Sequence, residues 1–193
     1  MSSRLVVNSV RHTGASADGI TLDSSGNVTF PANATCSGTA TGFGKFTSYA
    51  VIADEKSDGT LGGTFTTGAY RTRDLNTEVF DPDGIVSISS NQFTLQAGTY
   101  YIIARMPYMM VGFAKMKLYN VTDSSDTAMS DSGYSSTGVS ANFYIDLKKR
   151  ITISSAKTFE IQMAGQVTRA SYGLGYSSSF GTEVYTTVEI YKE

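Results

Sequence analysis

Residues 75–105 constrain the fold more than any other stretch, because they hold three short extended segments and no helical period. Two alternating apolar segments, 85–88 and 93–95, are separated by a Ser-Ser-Asn turn, and an aromatic segment that begins with Gly follows them. In an extended chain successive side chains face opposite sides, so Phe93 and Leu95 share one face and Thr94 takes the other. Short strands punctuated by Gly, Asn, Ser and Asp predict an all-β sandwich or barrel.

Composition allows one good core and excludes several classes of partner. The 193 residues include 12 Tyr and 10 Phe, which give enough apolar surface to argue against disorder. The net charge of -2 argues against general phosphate binding, so we expect no nucleic-acid partner. No apolar run has the length of a signal peptide or a membrane span, so we expect synthesis in the cytoplasm. The single cysteine, Cys36, excludes an intramolecular disulfide and a cysteine-led metal site.

The first 45 residues are richer in Gly, Ser, Thr and Ala than the rest of the chain. Within them, the Asp-Ser-Ser-Gly-Asn cluster at 23–27 predicts a tight turn, because Gly and Asn adopt positive φ at little cost. Extended pieces this short cannot build a core within one chain, so we expect three chains to wind together there. We interpret residues 1–45 as a stem for trimerisation and attachment, with a flexible leader as the alternative.

Residues 46–193 are expected to form the main domain, a head built as a two-sheet jelly roll without helices. Its candidate strands are 47–53, 64–71, 85–89, 92–95, 99–107, 114–120, 139–148, 150–153, 157–164 and 183–192. The last of these has the most regular alternation. It places Tyr185, Thr187, Glu189 and Tyr191 on one face, and Val184, Thr186, Val188 and Ile190 on the other.

The region 46–193 resembles a domain at the ends of many bacteriophage virion proteins, through the segments TFTTGAYRTRDLNTEVFDP, FTLQAGTYYIIARMP, KLYNVTD, KTFEIQM and GTEVYTTVEIYK. That domain is in turn similar to the trimeric jelly roll of complement globular heads and tumour necrosis factor. The stem motif GITLDSSGNVTFP resembles short repeats that precede such heads in phage fibre and decoration proteins. The resemblance implies a homotrimer on the virion surface, often with glycan or host-surface binding by the outer loops. Residues 111–117 lack the histidine expected near their start, which removes a histidine-based site there.

Few side chains offer catalytic or metal-binding chemistry, and we expect no enzyme, cofactor or metal. His12, the only histidine, lies in the stem among small polar residues and has no orienting partner in the sequence. The carboxylates that could act on glycans are predicted to lie in turns, where Asp is favoured for local hydrogen bonds; they are Asp54, Glu55, Asp81 and Asp83. Residues 123–127 with Asp131 offer oxygen ligands at loop spacing, a weak calcium signal that an exposed hairpin tip would share.

Two aromatic regions are candidates for interfaces. The run 106–113 is rich in Met and aromatic residues, and we expect it to line the threefold axis through Met106, Tyr108, Met110 and Phe113; an exposed ligand patch is the alternative. Tyr with Ser and Gly is typical of surface-recognition loops. We therefore take Tyr134, Tyr172 and Tyr176 as candidate ligand-loop residues, with aromatic caps at the end of the sandwich as the alternative.

Together these features predict a homotrimeric structural protein at the virion surface, a capsid decoration protein, cement protein or head fibre. Its stem would dock on a capsid or tail protein, and its head would project outward. The alternative is a tail fibre or receptor-binding tip that recognises host surface glycans. An enzyme acting on surface polysaccharide is the third and least supported hypothesis.

Overall fold

The computed structural model describes residues 7–11, 13–14, 16–17, 19–30 and 45–193. His12 and Cys36 lie outside these residues. The described residues contain strands and turns and no helix. The strands are β1 Ser9–Val10, β2 Ile20–Leu22, β3 Val28–Thr29, β4 Ser48–Lys56, β5 Arg71–Thr72, β6 Thr77–Phe80, β7 Val86–Ser89, β8 Gln92–Leu95, β9 Gly98–Tyr108, β10 Gly112–Asn120, β11 Ser125–Ser135, β12 Phe143–Ile153, β13 Lys157–Gly165 and β14 Glu183–Lys192.

The chain divides into two compact units, Met1–Phe43 and Gly44–Glu193. In the described part of the first unit, β1, β2 and β3 form a three-stranded antiparallel meander. The turn between β2 and β3 is held by Asp23, whose Oδ1 accepts the N–H groups of Ser25 (2.9 Å) and Asn27 (2.8 Å). The side-chain amide of Asn27 also donates to Asp23 Oδ2, and Gly26 takes φ 84°. The predicted tight turn is therefore present.

The second unit is a sandwich of two antiparallel sheets. The five-stranded sheet has the order β12-β9-β14-β4-β6. The six-stranded sheet has the order β11-β10-β13-β8-β7, and β5 also pairs with β13. β9 and β10 are consecutive in the chain but lie in different sheets, so the short connection between them crosses from one layer to the other.

The core lies between the inner faces of the two sheets. β9 contributes every second side chain to it: Tyr100, Ile102, Ala104, Met106 and Tyr108. β10 contributes Ala114, Met116 and Leu118 from the opposite sheet. The stacked rings of Phe93 and Phe159, 5.7 Å apart, fill the region between β8 and β13. Burying each side chain of this size stabilises the fold by about 1.5–3 kcal/mol relative to leaving it exposed.

The prediction for the last strand is confirmed in its bounds, 183–192, and corrected at its start. A register shift between Val184 and Thr187 interrupts the pairing of β14 with β4. Because of this irregularity, the neighbouring residues Tyr185 and Thr186 are both buried, instead of facing opposite sides as predicted. From Thr187 onward the predicted alternation holds.

Four other strands differ from the prediction. One of them is β6, Thr77–Phe80, which lies in a stretch for which no strand is predicted. The whole strand β11 was missed, because its Ser-, Asp- and Gly-rich sequence is typical of loops; it pairs as an edge strand with β10. The segments 139–148 and 150–153 were predicted as separate strands, but β12 runs unbroken through the basic residues at 148–150 and pairs with the full length of β9. The segment 64–71 is mostly irregular, with one bridge between Phe65 and Arg169 and the first residue of β5.

One buried charged group connects the two sheets. The guanidinium of Arg73 donates from Nε to Thr186 Oγ1 (2.9 Å) and from Nη2 to the Leu174 carbonyl (2.8 Å). Its side chain has no exposed surface. Burial lowers the pKa of Arg73 to about 10, and the nearby carboxylates of Asp54 and Asp74 act in the opposite direction. Lys56 links those two carboxylates, at 2.8 Å from each.

A second ionic group holds the segment before β4 against the five-stranded sheet. Glu193 accepts from Arg150 of β12 (2.6 Å) and from Lys45 (2.9 Å). Hydrogen bonds from these two cations, Arg150 first, lower the pKa of Glu193 from its usual 4.5 to about 2. A carboxyl whose pKa is lower in the folded state contributes its full stabilisation above its unfolded pKa, and this contribution is lost as the pH falls from the unfolded pKa through the folded pKa.

We therefore expect Glu193→Gln to destabilise the protein near neutral pH and to have little effect in strong acid. The difference in the free energy of urea unfolding between wild type and variant should be largest at about pH 6, smaller at about pH 3 and nearly absent at about pH 1, below the folded pKa. An equal difference at all three pH values would show that the effect of the substitution does not depend on the charge of Glu193.

Candidate functional site

The two ends of the head are formed by different segments of the chain. At one end, the segment before β4 lies beside the last residues of β14, since the Thr47 N–H donates to the Lys192 carbonyl (2.7 Å). At the other end, β9 finishes and β12 and β14 begin. The ten residue steps of β9 separate the two ends by roughly 33 Å. We call the end at which β9 finishes the distal end, because it lies away from the point where the chain reaches the head.

Loops at the distal end enclose a cleft of about 410 Å³. Its lining comes from the residue after β9, the residues before β12 and the loop before β14: Met109, Ser140, Ala141, Asn142, Tyr176, Ser177 and Ser178. We call this the distal cleft. The Met109 side chain is buried, whereas about half of the Tyr176 side chain, 51%, is exposed.

The side-chain amide of Asn142 joins two of these loops. Its Oδ1 accepts the Tyr176 N–H (2.8 Å), and its Nδ2 donates to the Tyr176 carbonyl (3.0 Å). Just before Tyr176, Gly175 has φ 131°, and a Cβ there would lie 2.5 Å from the buried ring of Tyr185. Only glycine fits this close approach without a shift of the ring, so the backbone that presents Tyr176 has a defined path.

A second anchor is the carboxylate of Glu183, at the start of β14. It accepts the N–H groups of Ser178 (3.0 Å) and Ser179 (2.6 Å), and more distantly that of Gly59 (3.4 Å). These backbone hydrogen bonds, that of Ser178 first, lower the pKa of Glu183 below its usual value. The carboxylate therefore stays charged while it fixes the loop, and only 5% of the residue's surface is exposed.

The structure brings two of the three predicted ligand-loop tyrosines together. Tyr176 lines the distal cleft, and the Tyr172 ring lies 5.8 Å from it. Tyr134, in contrast, lies within β11 rather than in a loop, and its ring is 5.0 Å from that of Phe113 on the six-stranded sheet. Sequence reasoning did not single out Asn142 and Glu183. Their role depends on loops distant in sequence, and no local motif marks it.

The four residues predicted to line the threefold axis do not share a face. Met106 and Tyr108 point into the core of their own subunit. Met110 lies in the connection between the sheets with φ 55°, and Phe113, which is 56% exposed, belongs to the other sheet. The run 106–113 looked continuous in sequence, but the turn after β9 divides it between the two layers. Met106 and Tyr108 are therefore unavailable to a neighbouring subunit.

A different set of side chains forms an apolar surface on the outside of the five-stranded sheet. Tyr49, Tyr191 and Tyr101 lie directly opposite one another on β4, β14 and β9. The Tyr49 and Tyr191 rings are 4.7 Å apart. Phe46 extends the row by contacting Tyr191 (5.1 Å), and Phe80 extends it by contacting Tyr49 (5.8 Å). We call these five side chains, Phe46, Tyr49, Phe80, Tyr101 and Tyr191, the aromatic face.

Two carboxylates of the weak calcium signal pair with lysines. In the segment with the calcium-like spacing, Asp123 pairs with Lys157 and Asp126 with Lys117, each at 2.6 Å. Asp54 and Glu55 lie in β4 rather than in a turn, because the strand continues to Lys56. Among the described residues, no three His, Cys, Asp or Glu side chains are grouped as a metal site requires.

The turn prediction for Asp81 and Asp83 is correct. Both follow β6, and the Asp81 carboxylate accepts the N–H groups of Ile85 and Val86, each at 2.9 Å. Within the same described residues, no helix has the length and hydropathy that a membrane crossing requires.

Comparison with solved structures finds a similar fold in murine APRIL, a protein of the tumour necrosis factor family. Murine APRIL, crystallised at pH 5.0, is 9% identical; the match covers 76% of this chain and 98% of that one, with a TM-score of 0.52. The globular domain of zebrafish complement 1qA is 10% identical and matches 74% of this chain and 94% of that one, with a TM-score of 0.47. No family model and no curated protein sequence matches the chain.

At such low sequence identity, the likeness shows a similar fold and nothing about function. The jelly roll expected from the sequence is present, and its likeness to murine APRIL agrees with the predicted similarity to tumour necrosis factor. The two matched proteins named above are animal proteins. They give no support to a virion origin, which stays a prediction from the sequence.

Proposed function

We propose that this protein is a homotrimer built through the aromatic face, with a non-enzymatic head. The observation that carries the proposal is the row of tyrosines across β4, β14 and β9, flanked by Phe46 and Phe80. An antiparallel sheet with one face in water normally places polar side chains there. A patch of ring contacts spanning four strands is instead typical of a surface that another protein covers. The trimer implied by the sequence resemblance gives this face a partner.

The edges of the aromatic face suit such an interface. Phe46 and Phe80 are 42% and 50% exposed, so they have most to gain from coverage by another subunit. The Tyr191 hydroxyl donates to Glu189 (2.7 Å), so its polar end already has a partner beside the rings. Aromatic side chains bury a large area with little loss of rotamer entropy, which favours them at the centre of stable interfaces.

We further propose that the trimer is a structural protein of a bacteriophage virion, attached to a capsid or tail protein by its N-terminal segment. The sequence resemblance of the head segments and of the GITLDSSGNVTFP motif supports this origin. The N-terminal unit contains a three-stranded meander, β1–β3, which could supply such a docking surface. This part of the proposal predicts that the first unit docks on the particle and that the head projects outward.

Removal of the unit Met1–Phe43 tests the attachment. The cut retains Lys45, and with it the ion pair to Glu193 that holds the start of the head. We expect the truncated protein to fold and to form trimers, but not to co-sediment with virions that lack the protein, whereas the full chain should bind them. Equal co-sedimentation of both proteins would overturn the attachment role of the N-terminal unit.

A second candidate function, a tip that recognises host surface glycans, is favoured by one observation. The distal cleft lies at the end of the head away from the point where the chain reaches it, and Tyr176 lines the cleft. A trimer would present three such clefts on one side, which would increase the avidity for a surface that displays many copies of one ligand. Attachment and recognition are compatible, because attachment is assigned to the N-terminal unit and recognition to the loops of the head.

A further inference from the structure

We infer that the distal cleft is a binding site for an uncharged saccharide, with the exposed ring of Tyr176 as its stacking platform. This inference deepens the second candidate function, and it rests on the proposed outward presentation of the distal end. It assigns a ligand class and a position to that recognition. Four features of the cleft carry it: size, charge, side-chain chemistry and rigidity.

The size fits one or two sugar rings. The cleft volume of about 410 Å³ falls within the range of small-molecule sites, about 300–1,000 Å³. The segments before β12 and β14, the two strands that flank β9, form its walls, and the buried Met109, which follows β9, completes the lining. The space is open on one side, so it can accept the end of a longer chain of sugars.

The charge of the lining selects a neutral ligand. None of its seven residues is an Asp, Glu, His, Lys or Arg. The nearest acidic group in the loops, Glu183, is buried and directed at the N–H groups of Ser178 and Ser179. No lysine or arginine lines the cleft to balance a carboxylate, sulfate or phosphate. A negatively charged sugar would therefore lose solvation without gaining an ion pair.

The polar groups of the cleft match a sugar, which has an apolar C–H face and a rim of hydroxyls. Tyr176 offers an exposed aromatic surface for the C–H face, and Met109 adds apolar contact. The hydroxyls of Ser140 and Ser177 have no hydrogen bond within the described part of the chain, so both can bond to the rim. Asn142 uses one N–H and one lone pair on Tyr176, which leaves one of each for a ligand.

The site is held in place before any ligand arrives. Asn142 fixes the backbone of Tyr176 on both sides, and Glu183 fixes that of Ser178 and Ser179. A preorganised loop loses little conformational entropy on binding, which favours affinity for a small ligand. A loop of Tyr, Ser and Gly without such anchors would have to be ordered by the ligand.

The first test probes the full-length trimer on an array of neutral, sialylated and sulfated glycans, with Tyr176→Ala and Tyr176→Phe as variants. We expect binding to a subset of neutral glycans, an affinity lower by at least about tenfold in Tyr176→Ala, and near wild-type binding in Tyr176→Phe. Tyr134→Ala is the matched control, because Tyr134 is 54% exposed, much as Tyr176 is, but lies on the six-stranded sheet. It should bind as wild type does.

A second measurement locates the ligand without any substitution. Methyl-labelled methionines of the wild-type trimer would be observed by NMR during titration with methyl glycosides of glucose, galactose, N-acetylglucosamine and N-acetylgalactosamine. We expect the Met109 methyl signal to shift with at least one of them, while the exposed Met129, in β11, does not. N-acetylneuraminic acid should leave both signals unchanged.

Several results would overturn the inference. On the array, the inference is wrong if no neutral glycan binds, if wild type and Tyr176→Ala bind equally well, or if only charged glycans bind. A Met109 signal that is unmoved by all four neutral sugars would do the same. If these tests fail while the protein remains a trimer that attaches to particles, the saccharide site is wrong and the structural function stands. If sugars bind but the protein is monomeric, the saccharide site stands and the proposed trimer is wrong.

Discussion

Tyr101→Asp is expected to convert the trimer into monomers. Tyr101 lies on β9, in the cross-strand row with Tyr191 and Tyr49, and its ring contacts that of Phe46 (6.4 Å). In the proposed trimer a carboxylate at this position would be buried against apolar rings of another subunit without an added partner. Truncation of a central aromatic residue in an interface costs about 2–4 kcal/mol, and an unpaired charge costs more. Light scattering at micromolar concentration should give the mass of one chain.

Tyr134→Asp provides the matched control for this experiment. It makes the same chemical change at an exposed tyrosine, but on the six-stranded sheet, where we propose no subunit contact. This variant should remain trimeric. If Tyr101→Asp stays trimeric and Tyr134→Asp dissociates, the subunits meet through the other sheet. Circular dichroism of both variants separates dissociation from unfolding.

Arg73→Ala is expected to be the most damaging single substitution inside the head. It would remove the donors that satisfy Thr186 Oγ1 and the Leu174 carbonyl, and it would open a cavity between the sheets. The neighbouring carboxylates of Asp54 and Asp74 would also lose a balancing charge. Breaking a buried charged group in this way costs about 3–5 kcal/mol. For a domain of this size that corresponds to a fall in Tm of about 10 °C.

Two further variants show which property of Arg73 matters. Arg73→Met keeps much of the volume but no hydrogen bonds, so its loss in unfolding free energy should be smaller than that of Arg73→Ala. Arg71→Ala removes an exposed arginine from the same segment, and we expect a loss of less than about 1 kcal/mol. An Arg73→Ala protein as stable as Arg71→Ala would show that the contacts of the buried guanidinium contribute no net stability.

The sequence predicted regular strands best where one face is buried and the other is not. β14 and β9 alternate clearly, so their positions could be read without a structure. β11 could not, because an edge strand needs only one hydrogen-bonded neighbour, and most of its residues stay partly or fully exposed although Ser130 and Ser135 are buried. The same composition in an unpaired segment would be a loop. Only the pairing with β10 distinguishes the two.

The interface prediction failed at Met106 and Tyr108 because apolar character does not say which face a residue takes. Their alternation with Arg105 was visible, but the side that faces the core depends on the opposite sheet. The aromatic face could not be predicted from the sequence for a similar reason. Tyr49, Tyr101 and Tyr191 are far apart in sequence, and only the register of β4, β14 and β9 places them in one row.

For the distal cleft, the sequence indicated the loop that carries Tyr172 and Tyr176 but not the side chains that hold this loop in place. Tyr172 and Tyr176 were recognisable from their Ser- and Gly-rich surroundings. Asn142 and Glu183 were not recognisable. Nothing in the sequence around Asn142 indicates its partner Tyr176, 34 residues away, and nothing around Glu183 indicates that its carboxylate accepts the N–H groups of a loop. Long-range hydrogen bonds of this kind are a property of the fold.

The central claim is that the aromatic face joins three copies of the chain, and the mass of the full-length protein in solution tests it most directly. Light scattering coupled to size-exclusion chromatography should give about three times the 20.6 kDa of one chain at micromolar concentration. A mass of 20.6 kDa that persists as the concentration is raised would contradict the claim.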